Sequence, residues 1–141
     1  MLPTCARPYM PHDLPMALID DIIACDEQTA TTRITITQES LFLDAQQRIS
    51  VLVGIEYMAQ SAAAWSGYNN RHGSMLSPVG MLLGTRHYQS DCAFFSVGDV
   101  LTIEVACLLQ SADGMSSFDC SIERDGRIIA SASLTVFQPN H

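Results

Sequence analysis

The chain has 141 residues, of which 48% are apolar and 16% charged, so it is long enough for one globular domain and too hydrophobic to be disordered. Fifteen acidic side chains stand against seven basic ones, for a formal net charge of -8. This balance excludes a general affinity for nucleic acid and a polybasic membrane-surface role. We therefore expect a single domain spanning residues 1–141, with a surface that repels most acidic partners.

The cysteines and the N-terminal segment indicate a reducing compartment. Five cysteines without a close pair fit neither a disulfide framework nor the spacing of a zinc site. Arg7, His12 and Asp13 lie where a secretory signal would need an uninterrupted apolar run. The longest apolar stretch, Ile49–Tyr68, contains Glu56, and a carboxylate is costly at membrane depth. We therefore predict a cytoplasmic protein with no metal, no cofactor and no membrane insertion.

Two strands are predicted before the first helix. Pro11–Ile23 starts extended at its prolines and continues into a short apolar run that fits a first strand. Residues 31–37 (TTRITIT) alternate, with Ile34 and Ile36 on one face, which is typical of a half-buried strand. From Gln38 to Ser50 the periodicity is lost.

Val51–Tyr68 predicts one long helix. Ser50 fits an N-cap, and Asn69, Asn70 and Gly73 fit the end of the helix. Many small residues allow neighbouring backbone to approach closely, so the helix should be wrapped by other elements. The predicted core positions are Ile55, Met58, Ala59, Ala62 and Trp65.

Four strand-like segments follow the helix. They are Gly80–Gln89, Val100–Gln110, Met115–Arg124 and Arg127–Gln138, and the last three are joined by two-residue hairpin turns at Asp113-Gly114 and Asp125-Gly126. We expect an antiparallel meander within an α+β domain of roughly six strands around one helix. Because such a domain is thin, we expect it to pair with a second copy or a homologue.

Glu56 is the most informative polar residue, because it lies on the apolar helix. It is either a functional acid or a carboxylate held by an arginine or a neighbouring loop, and composition alone favours the structural role. Tyr57, Met58 and Trp65 could line an acyl-sized tunnel, although core packing is the commoner explanation for such residues. Arg86 faces either an anionic ligand or solvent.

Four segments occur together in an informative order. They are PHDLPMALIDDI (Pro11–Ile22), GIEYMAQSAAAWSGY (Gly54–Tyr68), GMLLGTRHY (Gly80–Tyr88) and the ending LTVFQP (Leu134–Pro139). This order resembles the FabA/FabZ family of 3-hydroxyacyl-carrier-protein dehydratases, and within it the ApeP-type branch found with aryl-polyene biosynthesis enzymes. The resemblance implies a hotdog fold, in which an antiparallel sheet wraps around one long central helix and two units join as a double hotdog with acyl tunnels at the interface.

The resemblance also implies roles for residues of the helix. In the family the helix carboxylate, here Glu56, is the acid that assists departure of the β-hydroxyl group, and a histidine of the other protomer removes the α-proton. Amides at the helix start, here near Gly54, hold the thioester carbonyl. The implied substrate is a thioester on acyl carrier protein or coenzyme A. The candidate substrate-binding residues are Gly54, Ile55, Tyr57, Met58 and Arg86.

The family's loop histidine has no counterpart here. The corresponding segment is SLFLDAQQRISVLVG (Ser40–Gly54), with Phe42 near the position of the histidine. Three accounts remain open: His12 or Asp44 supplies the base, the partner in a heterodimer supplies it, or the chain is a non-catalytic subunit.

The function predicted from the sequence is a 3-hydroxyacyl thioester dehydratase, acting alone or with a related hotdog partner. One alternative is a non-catalytic acyl-binding or stabilising subunit of a heteromeric dehydratase. Another is an acyl thioesterase, because a helix carboxylate can activate water. Since a carrier protein is itself acidic, docking would need a local cluster of arginines, with Arg86 first and Arg48 and Arg71 next.

Overall fold

One antiparallel sheet and one long helix make up most of the fold. The structure, a computed structural model, describes residues 2–10, 17–70 and 81–137. In chain order its elements are β1 (Thr4–Cys5), β2 (Asp21–Cys25), β3 (Thr29–Thr35), β4 (Arg48–Ser50), α1 (Gly54–Asn70), β5 (Met81–Ser90), β6 (Phe94–Ser96), β7 (Val100–Gln110), β8 (Met115–Arg124) and β9 (Arg127–Phe137). Seven strands pair in the order β1-β2-β3-β7-β8-β9-β5, while β4 and β6 form a small separate pair. The predicted α+β architecture around a single long helix is confirmed.

The long strands of the C-terminal half lie where the sequence predicts them. β7 and β8 have the predicted bounds, and the ends of β5 and β9 differ from the prediction by one residue. They form the expected meander β7-β8-β9, and β5 pairs with the free edge of β9. The alternation that predicts these strands is also the burial pattern, since Leu101, Ile103 and Val105 of β7 are fully buried.

The two predicted hairpin turns differ in outcome. Asp125 and Gly126 both have positive φ (55° and 78°), as a two-residue turn between twisted strands requires. The prediction of a two-residue turn at Asp113-Gly114 is wrong, because β7 ends at Gln110 and β8 begins at Met115. Ser111 closes this longer loop, since its backbone N–H donates to the Met115 carbonyl at 2.8 Å.

The N-terminal strands are shifted relative to the prediction. Both ends of β3 lie two residues earlier in the chain than the ends of the predicted segment 31–37. Ile34 and Ile36 are nevertheless both buried, as the alternation predicts. β2 overlaps only the end of Pro11–Ile23, and residues 11–16 lie outside the described residues. No periodicity predicts β1, β4 or β6, because each is only two or three residues long.

The helix begins three residues later than predicted. A 3₁₀ turn, Val51–Val53, precedes α1, and the Ser50 hydroxyl caps it by accepting the Leu52 N–H at 3.3 Å. The predicted cap is therefore present on the 3₁₀ turn, and helical spacing continues through it. The helix continues to Asn70, and Gly73 lies outside the described residues.

The helix is wrapped by the sheet and by the N-terminal segment. Of the predicted core positions, Met58, Ala62 and Trp65 are buried, whereas Ile55 and Ala59 are half-buried. Two polar side chains of the helix, Gln60 and Ser61, are also fully buried. The Ser61 hydroxyl is 2.7 Å from the Thr32 hydroxyl and donates to the Tyr57 carbonyl at 2.8 Å. The Trp65 indole N–H donates to the Asp26 carbonyl at 3.0 Å.

Gly67 lets the N-terminal segment lie directly on the helix. A Cβ atom at this position would be 1.9 Å from the carbonyl oxygen of Tyr9, and the Tyr9 ring packs on the Tyr68 ring with centroids 5.2 Å apart. Backbone atoms cannot give way as a flexible side chain can. The close contact therefore requires glycine at this turn of the helix.

We predict that Gly67→Ala lowers the free energy of unfolding by about 2–3 kcal/mol, because it overpacks this contact, although alanine is intrinsically the better helix former by about 1 kcal/mol. Urea denaturation measures the change. The matched control is Gly84→Ala, where nothing lies within 4 Å of the added atom, and a change within about 0.5 kcal/mol is expected. Equal effects of the two substitutions would contradict the close-packing argument.

Candidate active site

Glu56 is held in the first turn of α1 by a buried glutamine one turn later. Gln60 Nε2 donates to Glu56 Oε2 at 3.0 Å, and Gln60 Oε1 accepts the backbone N–H of Leu18 at 2.7 Å. Because the Leu18 N–H can only donate, it fixes the amide with its oxygen toward Leu18 and its NH₂ group toward Glu56. Glu56 Oε2 is therefore the acceptor in this hydrogen bond.

The start of the helix is closely packed around Gly54. Its N–H donates to the carbonyls of Val51 and Leu52, and the Tyr88 hydroxyl donates to the Val51 carbonyl as well. A Cβ atom on Gly54 would be 2.6 Å from Tyr88 Oη and 2.9 Å from Ile122 Cδ1. Burial, followed by the nearby Cys92, raises the pKa of Tyr88 to about 12, so its hydroxyl remains a proton donor. The role of the Gly54 amide toward a thioester carbonyl stays a prediction.

A β-bulge in β5 directs Tyr88 toward the helix. The pairing of β5 with β9 shifts register between Arg86 and Gln89, and His87 within it has a positive φ of 57°. Arg86 and His87 are both exposed, while Tyr88 reaches the start of α1. Bulges re-aim side chains in this way. The sequence reasoning missed the role of Tyr88, and an aromatic residue directly after a polar pair in a strand is the signal that could have found it.

Asp44 is engaged in closing its own loop. Its carboxylate accepts the backbone N–H groups of Gln46 and Arg48 at 2.9 Å each, and it pairs with the Arg48 guanidinium at 3.1 Å. These interactions, the Arg48 N–H first, lower the pKa of Asp44. A carboxylate with a lowered pKa is a weaker base. The geometry therefore gives Asp44 a structural role, and its role as the base stays a prediction.

The other candidate base cannot be placed. His12 lies outside the described residues, as does Arg71. Phe42, near the position of the family's histidine, is 52% exposed and has a positive φ of 73°, a conformation that is uncommon for a bulky side chain. Leu52, just before α1, is 65% exposed. The segment between β3 and α1 therefore presents two large apolar side chains to solvent.

The predicted substrate-binding residues of the helix have different environments. Tyr57 and Met58 are 1% and 0% exposed and belong to the core, whereas Ile55 is half-buried. The Tyr57 ring packs on Phe95 with centroids 5.9 Å apart. In the structure Tyr57 and Met58 pack in the core, which is the commoner role for such residues. Their contact with a substrate stays a prediction.

Most of the arginines are already paired. Among the described residues, four arginines form ion pairs: Arg33 with Asp21, Arg48 with Asp44, Arg124 with Asp99 and Arg127 with Asp91. Arg48 also lies 3.8 Å above the Phe94 ring. Within the described part of the chain, the exposed Arg7 and Arg86 form no ion pair. Arg86 is therefore free to contact an anionic partner.

Comparison with known proteins identifies the family to which the chain belongs. A model of the ApeP-like family, described as ApeP dehydratase, matches residues 4–141. The chain belongs to this family. Its structure is similar to a chain of "The Dehydratase Heterocomplex ApeI:P from Xenorhabdus doucetiae", with a TM-score of 0.92 and 30% identity over 99% of this chain and 93% of that chain. A search of curated proteins gives no match.

More distant structures show the hotdog fold alone. A hypothetical thioesterase protein with coenzyme A from Streptococcus pneumoniae TIGR4 has a TM-score of 0.65 at 16% identity, covering 85% of each chain. The E. coli PaaI protein has a TM-score of 0.64 at 16% identity, covering 86% of this chain and 84% of that one. In the ApeP-like chain, no helix among the described residues is long and apolar enough to cross a membrane.

We predict that Gln60→Leu lowers the free energy of unfolding by about 1–3 kcal/mol, because it leaves the buried Leu18 N–H without its acceptor. Thermal or urea unfolding measures the loss. The matched control is Glu56→Gln, which keeps an oxygen opposite Gln60 Nε2 and should change stability by about 0.5 kcal/mol or less. A Gln60→Leu variant as stable as the parent would show that the bridge contributes nothing to folding.

Proposed function

We propose that this ApeP-like chain is one subunit of a 3-hydroxyacyl thioester dehydratase, with Glu56 as the acid and a histidine base supplied by a related hotdog partner. The observation that carries the proposal is the bridge from Leu18 through Gln60 to Glu56. This bridge makes Glu56 Oε2 the acceptor of the Gln60 N–H, and the proposal assigns the transferable proton to Oε1. Membership of the ApeP-like dehydratase family supports the same chemistry.

The proposed reaction removes water across the Cα–Cβ bond of the acyl group. The partner's histidine takes the α-proton. The electron pair of the broken Cα–H bond then forms the Cα–Cβ double bond as the Cβ–O bond breaks. Glu56 Oε1 gives its proton to the departing hydroxyl group, which leaves as water. The Gln60 N–H, bonded to Oε2, stabilises the carboxylate that remains, because hydrogen bonds to charged groups are the stronger ones. The proton held by histidine then restores the acid through exchange with solvent.

The edge of the sheet supports a hotdog partner. Among the described strands, β5 pairs with β9 on one side and with none on the other, so its ten residues present a row of backbone groups that natural proteins normally cover. Phe42 and Leu52 add exposed apolar surface near the helix start. The similar chain of known structure comes from a complex described as the dehydratase heterocomplex ApeI:P, which favours an unlike partner over a second copy.

A thioester on an acidic carrier protein is the substrate we propose, with Arg86 as a docking residue. Arg86 is exposed and makes no ion pair with the described residues. It lies two residues before Tyr88, whose hydroxyl reaches the start of α1. A carrier bound at Arg86 would therefore lie near the N-terminal end of α1, where Glu56 is located.

We predict that the purified chain dehydrates a 3-hydroxyacyl carrier-protein substrate only together with a related hotdog protein that has the loop histidine. In that complex Glu56→Gln should lower kcat on the order of 10²–10⁴-fold, because the proton donor is lost. The matched control is Glu27→Gln, an exposed carboxylate in the turn before β3, which should leave the rate unchanged.

Other outcomes of this assay identify the alternatives. Full activity of Glu56→Gln overturns the assignment of the acid, and activity of the chain alone overturns the partner base. Tight association without activity in any pairing identifies a non-catalytic subunit. Release of free thiol from an acyl thioester identifies a thioesterase.

We predict that Arg86→Glu weakens binding of the carrier protein on the order of tenfold at low salt, a loss of about 1.4 kcal/mol of binding free energy. The loss should shrink as the salt concentration rises, because charges are screened over about 8 Å at physiological ionic strength. Arg7→Glu changes the net charge equally, but Arg7 lies in a 3₁₀ turn packed near the C-terminal end of the helix. Equal weakening by both variants would show a general charge effect and would remove Arg86 as a docking residue.

A further inference from the structure

The Tyr57 hydroxyl is a buried polar group that has no hydrogen-bond partner among the described residues. The residue is 1% exposed, and its ring is held against Phe95. Across residues 2–10, 17–70 and 81–137, the structure gives no hydrogen bond to this hydroxyl, although the backbone carbonyl of Tyr57 accepts one from Ser61. A buried tyrosine hydroxyl normally has a partner, and phenylalanine would fill the same space without the cost of an unpaired group. The partner of this hydroxyl is therefore expected to come from outside the described residues, and a bound ligand would supply one.

Tyr57 lies in the wall of a cavity of about 240 Å³. The cavity lies between the segment before β2, the end of β3 and the loop that follows β3. Its other lining residues are polar (Asp20, Thr35, Thr37, Glu39 and Ser40) or aliphatic (Ala17, Leu18, Ile34 and Leu41). The site therefore combines hydrogen-bonding groups with an apolar wall, as small-molecule sites commonly do.

The charge of the lining is negative. Asp20 and Glu39 are carboxylates, and none of the lining residues that the structure describes is basic. One Asp20 oxygen accepts the Thr35 N–H at 2.9 Å, and Arg33, which faces Asp20, is bonded to Asp21 at 3.0 Å. Burial, with the Asp20 charge as the second cause, raises the pKa of Tyr57, which places the phenol near that carboxylate. An anionic ligand is disfavoured here and a cation is favoured.

The donor set indicates an organic cation in preference to a metal ion. No group of three or more His, Cys, Asp or Glu side chains that could hold a metal occurs among the described residues, and Mg²⁺ and Ca²⁺ need more oxygen ligands than two carboxylates provide. An ammonium group needs only a few acceptors, and the aliphatic wall can contact its carbon chain.

We propose that this cavity binds a small alkylammonium ion, whose N–H groups bond to the Asp20 carboxylate and the Tyr57 hydroxyl oxygen. The alkyl part contacts the aliphatic wall of Leu18, Ile34 and Leu41. No step of the proposed chemistry at Glu56 uses this ligand, although Leu18 contributes both to the cavity wall and to the Gln60 bridge.

Three probes of equal length test the proposal: n-butylammonium, n-butanol and butyrate, each titrated into the full chain near neutral pH and followed by NMR of the backbone amides. Butylammonium should shift the amides of Asp20, Thr35 and Tyr57 and bind at least about tenfold more tightly than butanol, a difference of about 1.4 kcal/mol. Butyrate should not bind. Asp20→Asn should remove the preference for the ammonium probe, and Tyr57→Phe should weaken its binding. Equal binding of all three probes, or no binding of butylammonium at millimolar concentration, overturns the proposal.

Thermal unfolding without any probe gives an independent check. Tyr57→Phe should raise the Tm, because it removes an unpaired buried hydroxyl. The matched control is Tyr88→Phe, which should lower the Tm, because the Tyr88 hydroxyl bonds to the Val51 carbonyl. A Tm lowered by Tyr57→Phe would mean that the hydroxyl has a partner in the unliganded protein, and would overturn the inference.

Discussion

The enclosure of α1 is the constraint on which the rest of the structure depends. The sheet and the N-terminal segment cover so much of the helix that its polar side chains must find partners inside the protein. Gln60 and Ser61 are fully buried, and an unpaired buried polar group costs about 1–3 kcal/mol. Gln60 therefore has one satisfactory orientation, between Leu18 and Glu56. The position of the Glu56 carboxylate follows from the core, which is the kind of support that keeps a functional group preorganised.

Tyr57 is an exception to the rule that buried polar groups of α1 find partners inside the protein. Its neighbour Ser61 uses its hydroxyl twice, toward Thr32 and toward the Tyr57 carbonyl, while the phenol of Tyr57 finds no acceptor in the described chain. A sequence that satisfies its buried polar groups elsewhere and leaves one unsatisfied next to a cavity usually does so for function. The ligand site is therefore inferred from the phenol of Tyr57, and the exposed carboxylates nearby would not support it alone.

The sequence predicts the parts of the fold whose signal is local and repeated. β7 and β8 alternate over ten or more residues, so their bounds follow directly. The 3₁₀ turn at Val51–Val53 keeps nearly helical spacing, so periodicity cannot separate it from α1. The bulge at His87 accompanies the contact of Tyr88 with the helix start, and its one local signal, an aromatic residue after a polar pair, is weaker than a long alternation. Glu56 is recognisable from its apolar surroundings, but Gln60 gains its role only when the chain brings Leu18 against it, 42 residues away in sequence.

If Glu56 is the acid, as we propose, the same distinction explains how the chain can keep it without the loop histidine. Glu56 is tied through Gln60 into a buried network, so a side chain without an oxygen at this position removes the acceptor of the Gln60 N–H, whereas glutamine keeps one. Phe42 stands in an exposed loop, where a side chain can change with little cost to folding. Once an unlike partner supplies the histidine, nothing in the fold retains a histidine at this position, and the pairing becomes obligatory for catalysis. With four of seven arginines already in ion pairs, that partner would also have to supply much of the basic surface that an acidic carrier needs.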